Sequence, residues 1–338
     1  MAKKLPPPAA MFALIMGRCV SQLIFVAAKL ELADHLKHGP RTVEELAAAA
    51  EVQAPPLYRV LRALASVGIF AETKDRRFKL TPLAATLQKA APGSMHAAAQ
   101  LWEGKFLEEA WAQLVHGVKT GEIPFFKAHG VPVFEYLEKH PESLKVFGET
   151  MTNVSSTENP AIAAAYKFTG IRTLVDVGGG NGSLLATILK ANPKLNGVLF
   201  DQPSVTTRAR QDRHVTAKGI AERCTLESGN FFEAVPMGGD AYVMKRTLHD
   251  WDDDRCAKIL GNCRDAMSQK GKVLVVDAVI PPGNEPDRGK LLDIQMLVIG
   301  GRERTKQEFA ALFKQAGLKL TRVVPTKCPL SIVEGVRA

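Results

Sequence analysis

The sequence predicts an α/β protein, with a largely parallel sheet in its C-terminal half and a mostly helical N-terminal half. Three observations carry this. From about residue 170, short β-branched runs alternate with helical patterns, as in a parallel sheet with crossover helices. One run, Leu174-Val175-Asp176-Val177, ends in the glycine-rich turn Gly178-Gly179-Gly180-Asn181-Gly182 and leads into the helical pattern Ser183-Leu184-Leu185. Polar residues fall where the strands should end: Asp176, Asp201, Asn230, Lys245, His249 and Asp277. In such sheets ligands bind at the carboxyl ends of the strands.

The length of 338 residues suggests two domains. Apolar content of 46% and charged content of 23% suit a globular core. The net charge of +9 keeps nucleic acid among the partner classes to test. The five cysteines are an odd number without a CxxC pair, which points away from a disulfide framework or zinc site and toward a reducing cytosol. Lys3-Lys4 before Met11–Met16 has the outline of a signal peptide, but Pro6-Pro7-Pro8 and Arg18 argue against one. No uncharged run of 18 or more apolar residues exists, so a cytoplasmic protein without a membrane span is expected.

Residues 12–37 read as one long helix, either buried in a core or forming a subunit interface. Thr42 and Glu45 have capping-box spacing before an Ala-rich helix to about Ala50. Pro55-Pro56 start a helix over Leu57–Val67, and Gly68 ends it. Residues 69–71 and 77–80 form a hairpin or wing around Thr73–Arg76, and Pro82 starts another helix. This is a winged-helix order, so a DNA-binding regulator is an alternative, with Tyr58, Arg59 and Arg62 on the recognition helix. That helix is rich in Leu, Val and Ala, and its two arginines make an ordinary solvated face. Residues 94–168 are helical and aromatic-rich, with loops at 121–124 and 129–132. Phe147 and Met151 share a helix face, with Val154 just beyond.

Strands are expected at 172–177, 197–201, 224–228, 240–247, 272–279, 319–324 and 330–335, the last two antiparallel. The glycines at 178, 180 and 182 let the backbone take φ > 0 and let a ligand approach closely. The helix after them directs its free N–H groups and positive dipole end there. Asp201 at the end of the next strand suits two ribose hydroxyls, as it would in a dehydrogenase. Asp176 immediately before the glycines discriminates, because a carboxylate there repels a pyrophosphate and welcomes an ammonium. S-adenosylmethionine has an ammonium, a sulfonium and an adenosine, and no phosphate.

The ordered set Val175–Gly182, Phe200-Asp201-Gln202-Pro203-Ser204-Val205, Gly229-Asn230-Phe231-Phe232, Lys245-Arg246-Thr247-Leu248-His249-Asp250-Trp251 and Gly300-Gly301-Arg302-Glu303-Arg304-Thr305 resembles the class I S-adenosylmethionine-dependent small-molecule O-methyltransferases of the caffeate, flavonoid and hydroxyindole type and their bacterial tailoring relatives. The resemblance covers roughly residues 12–336. It implies a Rossmann-like methyltransferase sheet with an N-terminal all-helical winged-helix-like dimerisation domain. The boundaries expected are 1–92 for the dimerisation domain, 93–168 for a helical linker contributing to the acceptor pocket, and 169–338 for the cofactor-binding catalytic domain. The implied partners are a second copy of the chain and a small aromatic acceptor, without nucleic acid, membrane or metal.

By the same resemblance Asp176, Gly178, Gly180, Asp201, Gly229, Asn230, Phe231 and Lys245 bind S-adenosylmethionine, with Asn230 standing where the family usually has Asp. His249 is the expected general base, at the ligand end of a strand, and Asp277 and Glu303 are its implied partners. Asp250, Asp252, Asp253 and Asp254 read as helix-capping or solvated charges. Phe147, Met151, Val154 and Met296 would line the acceptor pocket, whose apolar character suits a flat ring. The rival readings are a same-fold N- or C-methyltransferase and the winged-helix regulator. A dinucleotide dehydrogenase is a third.

Overall fold

The computed structural model describes residues 5–338, so Lys3-Lys4 and the start of the signal-like stretch lie outside the described residues. The chain divides into two compact units, Met1–Glu109 with Phe134–Val154, and Ala110–Val133 with Ser155–Ala338.

The first unit opens with α1 (Pro7–Ile15), α2 (Gly17–Lys29) and α3 (Leu32–His35) in place of one helix over 12–37. Glu31 takes a left-handed conformation (φ 53°), which breaks the helical ladder. The run Pro7–Lys29, which Arg18 interrupts, is long and apolar enough to cross a membrane by length and composition only. The short strand β1 (Arg41–Thr42) precedes α4 (Val43–Ala49), whose capping box is formed by Thr42 and Glu45. Then come α5 (Ala54–Ser66), the hairpin strands β2 (Phe70–Glu72) and β3 (Arg77–Leu80), and α6 (Pro82–Ala85). The hairpin forms as expected, and β1 adds to it in a three-stranded sheet of order β1-β3-β2. A core of Leu32, Leu46, Leu57, Leu61, Leu64, Phe70 and Phe78 fills this part. The middle of the chain is helical: α7 (His96–Trp102), α8 (Lys105–Trp111), α9 (Leu114–Thr120), α10 (Pro124–His129), α11 (Val133–Lys139) and α12 (Pro141–Ala165). Residues of α12 up to Val154 belong to the first unit, and those from Ser155 to the second.

The second unit is built on a seven-stranded sheet. Its strands are β4 (Thr173–Val177), β5 (Asn196–Asp201), β6 (Cys224–Ser228), β7 (Ala241–Lys245), β8 (Lys272–Asp277), β11 (Leu318–Pro325) and β12 (Ser331–Arg337), in the order β11-β12-β8-β7-β4-β5-β6. The two-residue strands β9 (Val279–Ile280) and β10 (Arg304–Thr305) pair in parallel beside it. Strands β8, β7, β4, β5 and β6 are parallel, and the final pair is antiparallel as expected. The helices are α13 (Ser183–Ala191), α14 (Pro203–Ala209), α15 (Arg213–Thr216), α16 (Asp253–Ala266), α17 (Arg288–Ile299) and α18 (Lys306–Gln315). Alternate residues of each central strand enter opposite cores: Leu174 and Val243 pack with Leu185 and Ile188, while Val175 and Met244 pack with Ile259 and Phe309. Both faces are covered, which is why these strands read as continuous apolar runs. Strands β4 and β7 are neighbours although the chain visits β5 and β6 between them. The chain reverses direction across the sheet there, and the crevice opens at the ends of these two strands.

Candidate active site

The glycine turn leaves β4 at this crevice. Gly178, Gly180 and Gly182 have φ of 71°, 59° and 77°, in the region that favours glycine. A Cβ at Gly179 would come within 2.8 Å of the Asp176 carboxyl. The Gly180 main-chain N–H donates to Asp201 Oδ2 at 2.9 Å, and the Gln202 N–H donates to Asp201 Oδ1 at 2.7 Å. Asp201 therefore links the end of β5 to the turn after β4. Asp176 is buried, and its Oδ2 has no hydrogen-bond partner. Burial raises its pKa to about 7, against the opposing pull of Lys245. A buried carboxylate oxygen left open beside a positive helix end fits a cationic ligand group.

Beyond β6 a cavity of about 510 Å³ is lined by Gln202, Pro203, Gly229, Asn230, Phe231, Phe232 and Trp251. Its three rings pack edge to face, Phe231 on Phe232 at 4.7 Å and Phe232 on Trp251 at 4.9 Å between centroids. The Asn230 amide is used within its own turn: Oδ1 accepts from the Phe232 N–H at 3.0 Å, and Nδ2 donates to Glu233 at 3.0 Å. Lys245 ends β7. Its ammonium donates to Ser155 Oγ at 2.7 Å and Asn159 Oδ1 at 2.8 Å on α12, and burial lowers its pKa to about 8.

His249 sits in a short 3-10 turn, Leu248–Asp250, after β7. Its ring is buried, with Nδ1 2.8 Å from Glu303 Oε1 and Nε2 3.6 Å from Asp250 Oδ1. Burial pushes the imidazole pKa down. The Asp250 charge, the Glu303 hydrogen bond and the Asp277 charge outweigh it and bring it to about 9. Burial raises Asp250 to about 6 and Asp277 to about 7. Of the two expected imidazole partners, only Glu303 hydrogen-bonds the ring. Asp277 accepts from the Arg246 main-chain N–H at 2.9 Å and acts on His249 through its charge. Asp250 is not a capping or solvated charge, because it faces the second ring nitrogen.

The loop that holds His249 is fixed from below. Arg304 is fully buried and donates to the Leu248 and Trp251 carbonyls at 3.2 and 2.9 Å and to Asp253 at 2.8 Å. Asp253 is thus part of this anchor, while Asp252 caps α16 as expected. A Cβ at Gly301 would collide with the His249 carbonyl oxygen, and the Arg302 N–H donates to that oxygen at 2.8 Å. The Gly300-Gly301-Arg302 sequence lets Glu303 reach the ring. Glu158 was not singled out in sequence, Arg246 and Arg304 entered only as members of the quoted motifs, and Asp250 was read as a capping or solvated charge. The only local signal was the second basic residue of Lys245-Arg246.

Phe147, Met151 and Val154 recur at helical spacing on α12, all partly buried, with Phe147 edge-on to Phe134 at 6.3 Å. Met296 lies buried on α17, its methyl close to where a Cβ of Gly301 would stand. On the same helix Gln295 accepts from Trp111 Nε1 at 2.9 Å.

Comparison with known proteins gives two family matches, an O-methyltransferase domain over residues 111–319 and an O-methyltransferase dimerisation domain over residues 12–90. The chain belongs to the S-adenosylmethionine-dependent O-methyltransferases. It is 44% identical to the phenazine O-methyltransferase PhzM of Lysobacter antibioticus, over 98% of this chain and 97% of that one. It is 38% identical to a mitomycin biosynthesis 6-O-methyltransferase of Streptomyces lavendulae, over 96% and 93%. The crystal structure of LaPhzM matches with a TM-score of 0.92, covering 99% of this chain and all 100% of that chain. That of NcsB1 from neocarzinostatin biosynthesis, solved with S-adenosylmethionine and 2-hydroxy-5-methyl naphthoic acid, matches with a TM-score of 0.80 at 31% identity, covering 94% and 96%. This enzyme of the family takes its methyl group from S-adenosylmethionine. The open Asp176 oxygen, the glycine turn and the ring-walled cavity fit that donor.

Proposed function

We propose that this enzyme methylates a hydroxyl of a small aromatic acceptor, with His249 as general base. One observation carries the reading. At the switch point of the sheet a single buried imidazole is held by Glu303 at 2.8 Å and aimed by a loop that Arg304 locks. S-adenosylmethionine, when bound, supplies an electrophilic methyl on a cationic sulfur. Asp176 would hold the methionyl ammonium and Asp201 the ribose. Gly178, Gly180 and Gly229 let the backbone approach, and the Phe231 face would cover the adenine. Asn230 and Lys245 would serve this cofactor site indirectly, Asn230 by shaping its turn and Lys245 by offsetting the Asp176 charge.

Glu303 fixes the His249 tautomer by accepting from Nδ1, which leaves Nε2 to take the acceptor's phenolic proton as the oxygen attacks. The imidazolium formed is stabilised by Asp250 and, through space, by Asp277. With its pKa near 9, His249 is a strong base that is sparsely neutral at pH 7, so turnover rises with pH up to about 9. Met296, buried on α17 beside the Gly301 loop, would face the acceptor. The relatives named for phenazine and mitomycin, and NcsB1 with its naphthoic acid, support a flat, fused-ring acceptor for this chain too.

The exposed apolar side chains Phe12, Leu14 and Ile15, within and next to a segment matched as a dimerisation domain, support a homodimer. A protein interface accounts for this surface without a membrane, and the five free cysteines suit a cytoplasmic enzyme. Sedimentation of a single monomeric species would remove the dimer.

The test of function is transfer from labelled S-adenosylmethionine to a panel containing a hydroxyphenazine, a hydroxynaphthoate and simple phenols. His249→Ala is expected to lower turnover about 10²-fold or more with S-adenosylhomocysteine affinity retained. Turnover near wild type removes His249 as base. A relative 31% identical over 93% of this chain is named an 8-amino-8-demethylriboflavin N,N-dimethyltransferase, so a nitrogen acceptor is the second reading. A product methylated on nitrogen would establish it.

A further inference from the structure

Among the described residues, four non-glycine positions have positive φ: Glu31, Glu51, Arg76 and Arg246, at 53°, 55°, 59° and 52°. The first two follow the ends of α2 and α4, and Arg76 lies in the turn between β2 and β3. Arg246 closes neither a helix nor a hairpin. It follows β7 directly and leads into the His249 turn. A long side chain stays in the left-handed region only where its surroundings hold it, and such positions concentrate at functional sites.

Two sets of bonds hold Arg246. Its main-chain N–H donates to Asp277 Oδ1 at 2.9 Å and is shared with the Val276 carbonyl at 3.2 Å. Its guanidinium donates from Nη2 to Glu158 Oε1 at 2.6 Å and from Nε to Oε2 at 3.4 Å. Glu158 is buried on α12. The adjacent Lys245 grips Ser155 and Asn159 of the same helix, so the pair clamps one helical turn at i, i+3 and i+4.

We propose that Arg246 is a positioning residue for methyl transfer, whose left-handed main chain orients Asp277 beside His249 while its guanidinium fork ties that acid cluster to Glu158 of α12. The inference rests on the reading of His249 as base. The charged groups facing Arg246 are Glu158 from α12, Lys245 on β7, Asp250 from the 3-10 turn, Asp277 from β8 and Glu303 before β10. The guanidinium is a fixed positive charge that opposes proton retention by Asp250 and Asp277. Arg246 does not line the ring-walled cavity, and its guanidinium is taken up by Glu158 on α12, so cofactor affinity is expected to change little when it is replaced.

The experiment compares Arg246→Met, Arg246→Lys and Glu158→Gln with wild type, using whichever panel phenol the wild-type chain methylates. Arg246→Met is expected to lower kcat about 10- to 100-fold and to leave S-adenosylhomocysteine affinity within about threefold. It should also move the Asp277 carboxyl titration, followed by NMR of carboxyl-labelled aspartate, to higher pH by about half a unit or more. Arg246→Lys should recover part of kcat and of the titration midpoint. A merely structural role would lower thermal stability without moving the Asp277 titration. Wild-type kcat in Arg246→Met, or an unmoved Asp277 midpoint, overturns the proposal. If Arg246→Met does not fold, Glu158→Gln decides, with kcat lost and cofactor binding kept in support, and unchanged kcat against. Arg246→Met without effect while His249→Ala is inactive removes only the positioning role. An active His249→Ala removes the base reading itself.

Discussion

Replacing Glu303 by Gln tests how the site sets the strength of its base. Glu303 is buried, its Oε1 lies 2.8 Å from His249 Nδ1, and its Oε2 has no hydrogen-bond partner. Gln keeps the shape and an acceptor oxygen and removes the charge. Three carboxylates together lift the imidazole against burial to about 9. Losing one of them is expected to bring the midpoint down by about one pH unit, about 1.4 kcal/mol. The sign is fixed even in a coupled cluster, because removing a negative charge weakens the binding of every proton the cluster holds. At pH 7 the neutral imidazole then rises from roughly one molecule in a hundred to roughly one in ten. The ring becomes a weaker base and its cation is less well stabilised in the transition state, so the alkaline plateau of kcat should fall about 10²-fold. The assay is kcat from about pH 6 to about pH 10 with S-adenosylmethionine saturating. The expected profile has a lower plateau and a rising limb that begins about one pH unit earlier. A limb that stays in place or moves to higher pH refutes the assignment of His249 as the titrating base, and so does an unchanged plateau.

Two further perturbations probe the cofactor end and the frame. Asp176→Asn is expected to weaken S-adenosylhomocysteine at least tenfold by calorimetry, and unchanged affinity would sink the ammonium assignment. The Asp176 pKa is raised to about 7, so the folded state holds a proton that the unfolded chain releases, and wild-type stability falls as pH rises from about 4 to 7. The Asn variant lacks this loss, so without cofactor it should gain relative stability across that range in urea titrations. No gain would show that the carboxylate is compensated. Glu334 is bound by Tyr166 at 2.5 Å, Thr321 at 2.7 Å and Arg322 at 2.9 Å. Burial pushes its pKa up, but Arg322, Tyr166 and Thr321 outweigh it and hold it at about 2. Its contribution is therefore present above the unfolded value of about 4 and lost as pH falls toward 2. Glu334→Gln should cost about 1–3 kcal/mol near neutral pH and little in acid, measured by urea unfolding, and an equal cost at both pH values would refute the linkage.

The sequence by itself determined the sheet. Each central strand is an apolar run because helices cover both faces, and each run ends in a polar residue or a glycine where the crevice opens. The glycine turn was legible from its run of glycines, and Asp176 and Asp201 could be placed by strand endings alone; within the turn a Cβ at Gly179 would meet the Asp176 carboxyl. The antiparallel final pair was legible from a short turn between two runs. The break of the first helix at Glu31 was not, because a glutamate in the left-handed region has no local signature.

What only the tertiary structure decided is which polar group meets which. Asp277 and Glu303 looked alike as partners of His249, yet Glu303 bonds the ring while Asp277 turns to the main chain of Arg246. Asp250 looked like one of four solvated acids and instead faces Nε2 of His249. Lys245 reads in the sequence only as a cofactor-site residue, and the fold gives its ammonium Ser155 and Asn159 as partners. Periodicity reports which face of an element is apolar, so it places strands and helices. It carries no information about the direction of a side chain at the end of a strand. That direction is set by segments far apart in sequence, and in this crevice α12, β8 and the Gly301 loop set it.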